Sequence, residues 1–132
     1  GRASVSVTAA DGIFEVELRQ PGVLRPMRAA ELSDGTLRFL LWAAALLSPE
    51  PPSLMVLNEP ETSLHPDLVG PLAALIARAA EVTQVVVVTH SAALLEFLGA
   101  DAARLELVKD DGETTVAGQG LLSAPAWNWG SR

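Results

Sequence analysis

A carboxylate, an amide and a histidine stand at the ends of two apolar runs in this chain. The first run lies in LMVLNEPETSLHPDL, residues 54–68, which shows no polar alternation until it stops at Asn58 and Glu59 and turns at Pro60. QVVVVTHS, residues 84–91, does the same and ends in Thr89, His90 and Ser91. Unalternated runs of this kind suit strands buried on both faces, as in the parallel sheet of an α/β fold. Roughly fifteen residues of helical pattern separate them, enough for a crossover that opens both strand ends on one edge of the sheet. Ligands of open parallel sheets sit just beyond the carboxyl ends of the strands. Glu59 ends an apolar strand, where an ionised and unpaired carboxylate costs several kcal/mol, so its presence there argues for use.

A second group, Ser33-Asp34-Gly35, precedes a helical stretch. A helix whose first turn carries a hydroxyl and a glycine presents free backbone N–H groups and the positive end of the macrodipole. Such a terminus binds phosphate, and glycine allows a close approach. Taken alone, the plainer reading is preferable: Ser33 caps the helix and Gly35 eases the turn. Asp34 supports that preference, because its carboxylate repels a phosphate unless it is turned away.

The elements that must position these groups follow from pattern. Ser4 to Thr8 and Ile13 to Leu18 alternate on either side of Ala10-Asp11-Gly12, which predicts a β-hairpin. Residues 19–30 form an irregular connection containing Pro21-Gly22 and Pro26. A helix is expected within residues 31–48, with Leu37, Leu40, Leu41, Ala44 and Leu47 on one stripe. The prolines at 49–52 end it. In the crossover helix, Pro66 suits the start, whereas Pro71 implies a separate first turn or a kink. Ser91 to Leu98 reads as a short helix closed by Gly99. Arg104 to Val108 and Glu113 to Val116 form a terminal hairpin around Asp110-Asp111-Gly112.

Composition sets limits. The 132 residues fit one domain, and 49% hydrophobic with 19% charged residues is ordinary for a folded protein. The absence of cysteine excludes disulfides and thiolate chemistry, and is compatible with a reducing cytoplasm. The longest apolar run, Phe39 to Leu47, is about half a membrane span. No signal peptide is recognisable, although the chain begins at Gly1 and leaves room for a segment ahead of it. A net charge of −7 argues against this segment gripping a nucleic-acid backbone.

In order and spacing, ELSDGT at 31–36, LMVLNEPETSLHP at 54–66 and VVVVTHS at 85–91 resemble the C-terminal half of an ABC-type ATPase. Within that class they look most like the RecF/SMC/OLD-like group of AAA-type ATPases. The resemblance spans residues 31–99 and implies the parallel β-sheet core of a P-loop NTPase, flanked by hairpins. LSDGT would be the signature motif, LMVLNEPE the Walker B strand with its catalytic glutamate, TSLHP the D-loop and THS the switch histidine. The implied roles are then specific. Glu59 orients and deprotonates the attacking water, a task open to a carboxylate within hydrogen-bond reach. His90 contacts the γ-phosphate. Ser33, Asp34 and Gly35 belong to the signature that meets the nucleotide of a second subunit, so the cofactors implied are ATP and Mg²⁺ and the partner a second copy. Ser63, Leu64 and His65 fall in the D-loop at that dimer interface, although His65 reads equally well as an ordinary turn residue. Glu61 either serves the site or favours the N-terminus of the next helix.

Two departures stand out. Asn58 occupies the position of an aspartate that supports Mg²⁺; its amide oxygen can accept from a metal-bound water but adds no charge. No G-x-x-x-x-G-K-[ST] loop occurs, and the only lysine is Lys109. The expectation is therefore the C-terminal part of a longer ATPase domain, carrying half a nucleotide site and inactive alone. A DNA-related role would belong to the full protein and not to this segment. A non-catalytic module that binds nucleotide or a partner is the alternative. A nuclease built on clustered carboxylates and histidines is poorly supported by their spacing.

Overall fold

The computed structural model describes residues 2–110 and 112–117, which form a mixed α/β structure in two units divided after Gly99. The first unit opens with an antiparallel hairpin of β1 (Ser4–Ala10) and β2 (Ile13–Arg19). Asp11 and Gly12 join them with φ of 52° and 77°. Two consecutive positive φ angles match the right-handed twist of a tight hairpin, and Asp-Gly is a pair that adopts them readily. A short strand, β3 (Met27–Arg28), adds to β2.

The layer that positions the site follows. Helix α1 (Asp34–Leu46) leads to β4 (Leu54–Asn58), a 3-10 turn over Pro66–Leu68 and α2 (Val69–Ala80). Strand β5 (Gln84–Val88) then lies parallel to β4, in register from Leu54↔Gln84 to Asn58↔Val88. Their amino ends are tied by Gln84 N–H donating to the Ser53 carbonyl at 3.3 Å. Pro71 is the third residue of α2, within the first turn, where a missing N–H is harmless; the separate 3-10 turn accommodates Pro66. Buried Val69, Leu72, Ala73, Ile76 and Ala79 make one face of α2 apolar at helical spacing. That face meets Leu46 of α1, Leu57 of β4 and Leu94 of α3 (Ala92–Leu98) in the core.

Two expectations are corrected. Among the described residues one face of β4 and β5 is covered: Met55, Leu57, Val85 and Val87 pack against the helices, while Leu54, Val56, Val86 and Val88 on the other face are exposed. All the helices of the described residues that join this core lie against the first face, so an unalternated apolar run here forms a half-covered sheet. On α1 the expected stripe faces outward, with Leu37, Leu41 and Leu47 exposed and Phe39, Trp42 and Leu46 turned to the core. A helix apolar nearly all round carries no periodic signal for one face. Burying the bulky aromatic residues removes the most apolar area, and they take the inner side.

The second unit contains β6 (Leu107–Asp110) and β7 (Glu113–Val116), paired antiparallel around Gly112 at φ 90°. Its first strand begins later than the expected Arg104, and Asp111 of the expected turn lies outside the described residues. Among the described residues no helix is long and apolar enough to cross a membrane.

Candidate functional site

Both parallel strands end at one level, because Asn58 is paired with Val88. The pairing continues one step further: Glu59 N–H donates to the Val88 carbonyl at 2.8 Å. Glu59 itself adopts φ 45°, a left-handed conformation that costs a non-glycine residue about 1–2 kcal/mol. Pro60 behind it is fully buried and anchors the turn. Thr62 N–H bonds back to the Glu59 carbonyl at 3.1 Å and Leu64 N–H to Glu61 at 3.0 Å, so the chain curls tightly after the strand.

This curl holds the Glu59 carboxylate against His90. Glu59 Oε1 lies 3.4 Å from His90 Nδ1, and Oε2 accepts from the Thr62 hydroxyl at 3.4 Å. The crossover thus brings together the carboxylate and histidine that the two runs carry separately. Glu59 is not buried as its strand position suggested. Its side chain is 45% exposed and that of His90 80% exposed. The unusual φ turns Glu59 off the strand axis toward the open edge, which avoids the desolvation that burial would impose.

Glu61 and Thr89 form a second tie between the same two loops. The Thr89 hydroxyl donates to Glu61 Oε1 and accepts from Ser91 N–H at 2.9 Å. The Ser91 hydroxyl in turn caps α3, accepting from Leu94 N–H at 3.2 Å. The other Glu61 oxygen, Oε2, is buried and has no hydrogen-bond partner among the described residues. The 3-10 turn begins only at Pro66 and carries its own acid, Asp67, so Glu61 is not a first-turn residue of the following helix. The two-residue spacing of the carboxylates in Glu-Pro-Glu, beside a Thr-His pair, was the available signal for this tie.

At the start of α1, Gly35 meets the loop after β4 at Ser63 and Leu64. Ser33 caps α1 by accepting from Thr36 N–H at 3.2 Å, and its hydroxyl lies 2.9 Å from that of Thr36. Asp34 is exposed in the first turn, where a carboxylate complements the helix dipole. Gly35 approaches the backbone closely: a Cβ there would stand 2.5 Å from the Ser63 carbonyl oxygen. Ser63 has φ 67°, and His65 is exposed, its Nδ1 accepting from Asp67 N–H at 3.3 Å at the head of the 3-10 turn. Glycine at 35 therefore answers to contact inside the chain, whatever else approaches this terminus.

The loop entering α1 is pinned by charge. Arg25 grips Glu31 with both nitrogens, at 2.9 and 2.6 Å, and Arg28 N–H donates to the same carboxylate at 3.0 Å. The Arg25 hydrogen bond, helped by that of Arg28, holds the Glu31 carboxyl down at about 2. Arg28 also pairs with Glu15 of β2 at 3.2 Å, linking hairpin and loop.

Asn58 is exposed at the end of β4. Among the described residues no three histidine, aspartate or glutamate side chains group closely enough to hold a metal ion. A lone amide oxygen suits an outer contact through a metal-bound water better than direct ligation.

Residues 4–96, which hold nearly all of the first unit, match the family described as "AAA domain, putative AbiEii toxin, Type IV TA system". A solved structure from a study of ATP-driven dimerization and DNA-stimulated activation of SMC ATPases shares the fold. Its TM-score is 0.74 at 20% identity, over 92% of this chain and 76% of that one. No curated protein matches.

Proposed function

The chain belongs to this family of AAA-type ATPase domains, and on that premise we propose that it binds and hydrolyses ATP as the C-terminal half of a dimerising ABC-type ATPase. The observation that carries the proposal is the Glu59–His90 pair, 3.4 Å apart at the carboxyl ends of two parallel strands. Glu59, turned to the open edge, is placed to orient a water molecule and take its proton as it attacks the γ-phosphate. His90, beside it, contacts the γ-phosphate and limits where that water can sit. Thr62, bonded to the second oxygen of Glu59, steers the carboxylate. Mg²⁺, when bound, neutralises charge on the phosphates; Asn58 would hold it through water, with no charge of its own.

Across a two-fold dimer, Ser33, Asp34 and Gly35 at the N-terminus of α1 would complete the site of the second subunit, with free N–H groups directed at its phosphate. Ser63 and His65 would lie on the same interface. A phosphate-binding loop is missing from these residues, so we infer that another part of the protein supplies it. The exposed apolar face of Leu54, Val56, Val86 and Val88 supports that reading, because it suits a sheet completed by further structure. Asn58 and the missing phosphate loop favour the second reading, a non-catalytic module that binds nucleotide or a partner, while Glu59 and His90 oppose it.

The test is Glu59→Gln in the complete ATPase. Loss of the general base lowers turnover by about 10²–10⁴-fold while ATP binding stays close to normal and a dimer accumulates. Turnover that survives within a few-fold assigns the base elsewhere.

A further inference from the structure

We infer that Glu61 is a positioning residue for His90, acting through the Thr89 hydroxyl. The inference rests on the reading of Glu59 and His90 as the hydrolytic pair. His90 is largely exposed, and among the described residues its side chain approaches Glu59 at 3.4 Å. A side chain with so little packing is placed by its backbone. One hydroxyl controls that backbone on both sides. Thr89, immediately before His90, donates to Glu61 Oε1; Ser91, immediately after, donates its N–H to the same Thr89 oxygen at 2.9 Å. Ser91 then caps α3, so the bracket is continuous from the loop after β4 to the start of a helix.

Glu61 is the fixed end of this bracket. Its backbone carbonyl is held by Leu64 N–H at 3.0 Å, and it follows the fully buried Pro60. The same curl carries Glu59. Movement of the loop after β4 is therefore transmitted to both members of the pair, one directly and the other through Glu61 and Thr89. Glu61 Oε2 is buried without a partner among the described residues, so Oε1 carries the side chain's only hydrogen bond there, the one to Thr89. An unsatisfied buried acceptor opposes folding, and such costs gather where geometry is held for function. The acceptor on Oε1, and not the negative charge, is what the bracket needs.

Four variants separate these statements. Glu61→Leu and Thr89→Val remove the bond, the latter by exchanging only a hydroxyl for a methyl should the former fail to fold. Glu61→Gln and Thr89→Ser keep it. In this chain, ring resonances of the two histidines are assigned with His65→Gln. The nuclear Overhauser contact between the His90 ring and the Glu59 side chain is then lost in the Leu and Val variants and restored in the Gln and Ser variants. In the complete ATPase the Leu and Val variants lose about 10–100-fold in kcat, the scale of a misplacement near 1 Å. KM for ATP stays within about twofold, and the conservative variants recover most of the loss.

A His90–Glu59 contact that persists in both Leu and Val variants overturns the inference. So does wild-type kcat in those variants, or Glu61→Gln failing as badly as Glu61→Leu, which would make the charge itself the agent. Should the unmutated complete protein not hydrolyse ATP, the hydrolytic reading fails, and the resonance comparison still decides whether Glu61 places His90.

Discussion

Gly35→Ala tests the contact that joins α1 to the loop after β4. On helix propensity alone the change is favourable, by up to about 1 kcal/mol in a helix interior and by less at the second residue of a helix. The contact predicts the opposite. The new Cβ would stand 2.5 Å from the Ser63 carbonyl oxygen. Ordinary carbon–oxygen contacts begin at roughly 3.3 Å, so helix and loop must part by about 0.8 Å. The obstructing atom belongs to the backbone and cannot rotate away. Overpacking of this kind costs about 1–3 kcal/mol, leaving a net loss of about 1–2 kcal/mol after the propensity gain. For a unit of this size that lowers the melting temperature by roughly 5–10 °C. Thermal denaturation of the 132-residue chain measures it directly, with Ser33→Ala as the reference for an ordinary lost cap of about 1 kcal/mol. If the proposed dimer forms through Ser33 and Ser63, the same displacement weakens dimerisation more than the melting temperature alone implies. A variant that melts higher than wild type refutes the close approach.

Three further outcomes are expected. If Asn58 supports Mg²⁺ as proposed, Asn58→Asp adds a charge at that site and tightens Mg²⁺-dependent nucleotide binding in the complete ATPase; unchanged Mg²⁺ dependence in a metal titration removes Asn58 from that role. Ser33→Arg should abolish dimerisation and turnover while each subunit still binds ATP. Mixed with Glu59→Gln it should recover partial activity, since one site of each mixed pair then carries both lesions and the other neither; verified mixed dimers without recovery argue against action across the interface. The Glu31 carboxyl is lowered from 4.5 to about 2, so its pairing with Arg25 contributes fully above pH 4.5 and is lost as the pH falls through about 2. A carboxyl-carbon titration reads that midpoint, and one near 4.5 would mean that the Arg25 grip does not persist in solution.

Most of the architecture could be read from local rules. Asp11-Gly12 declares a tight hairpin turn, Ser33 and Ser91 announce two helix starts, and Gly99 closes α3 at φ 69°. The meeting of Glu59 with His90 was equally legible, because a short crossover between parallel strands leaves no other edge on which their ends can open. The inner face of α1 was not. Residues 39–47 are apolar on every side, so the choice between Leu41 and Trp42 depends on the shape of α2 and not on periodicity. The covered and bare faces of β4 and β5 were hidden for the same reason: an apolar run records what a strand tolerates on each side and not which neighbours are present.

What no local rule reveals is how the loop after β4 is held. Within six residues it contains two non-glycine residues at positive φ, Glu59 and Ser63, and a carbonyl that leaves no room for a side chain at position 35. Neither residue type favours that conformation, so each must be held by its surroundings. Those restraints come from opposite sides. Val88 takes the Glu59 N–H, buried Pro60 locks the next step, and α1 closes on Ser63 through Gly35. The loop is thus compressed between the end of one strand and the start of one helix. The two contacts fix this loop at both ends, Glu59 through Val88 and Ser63 through Gly35.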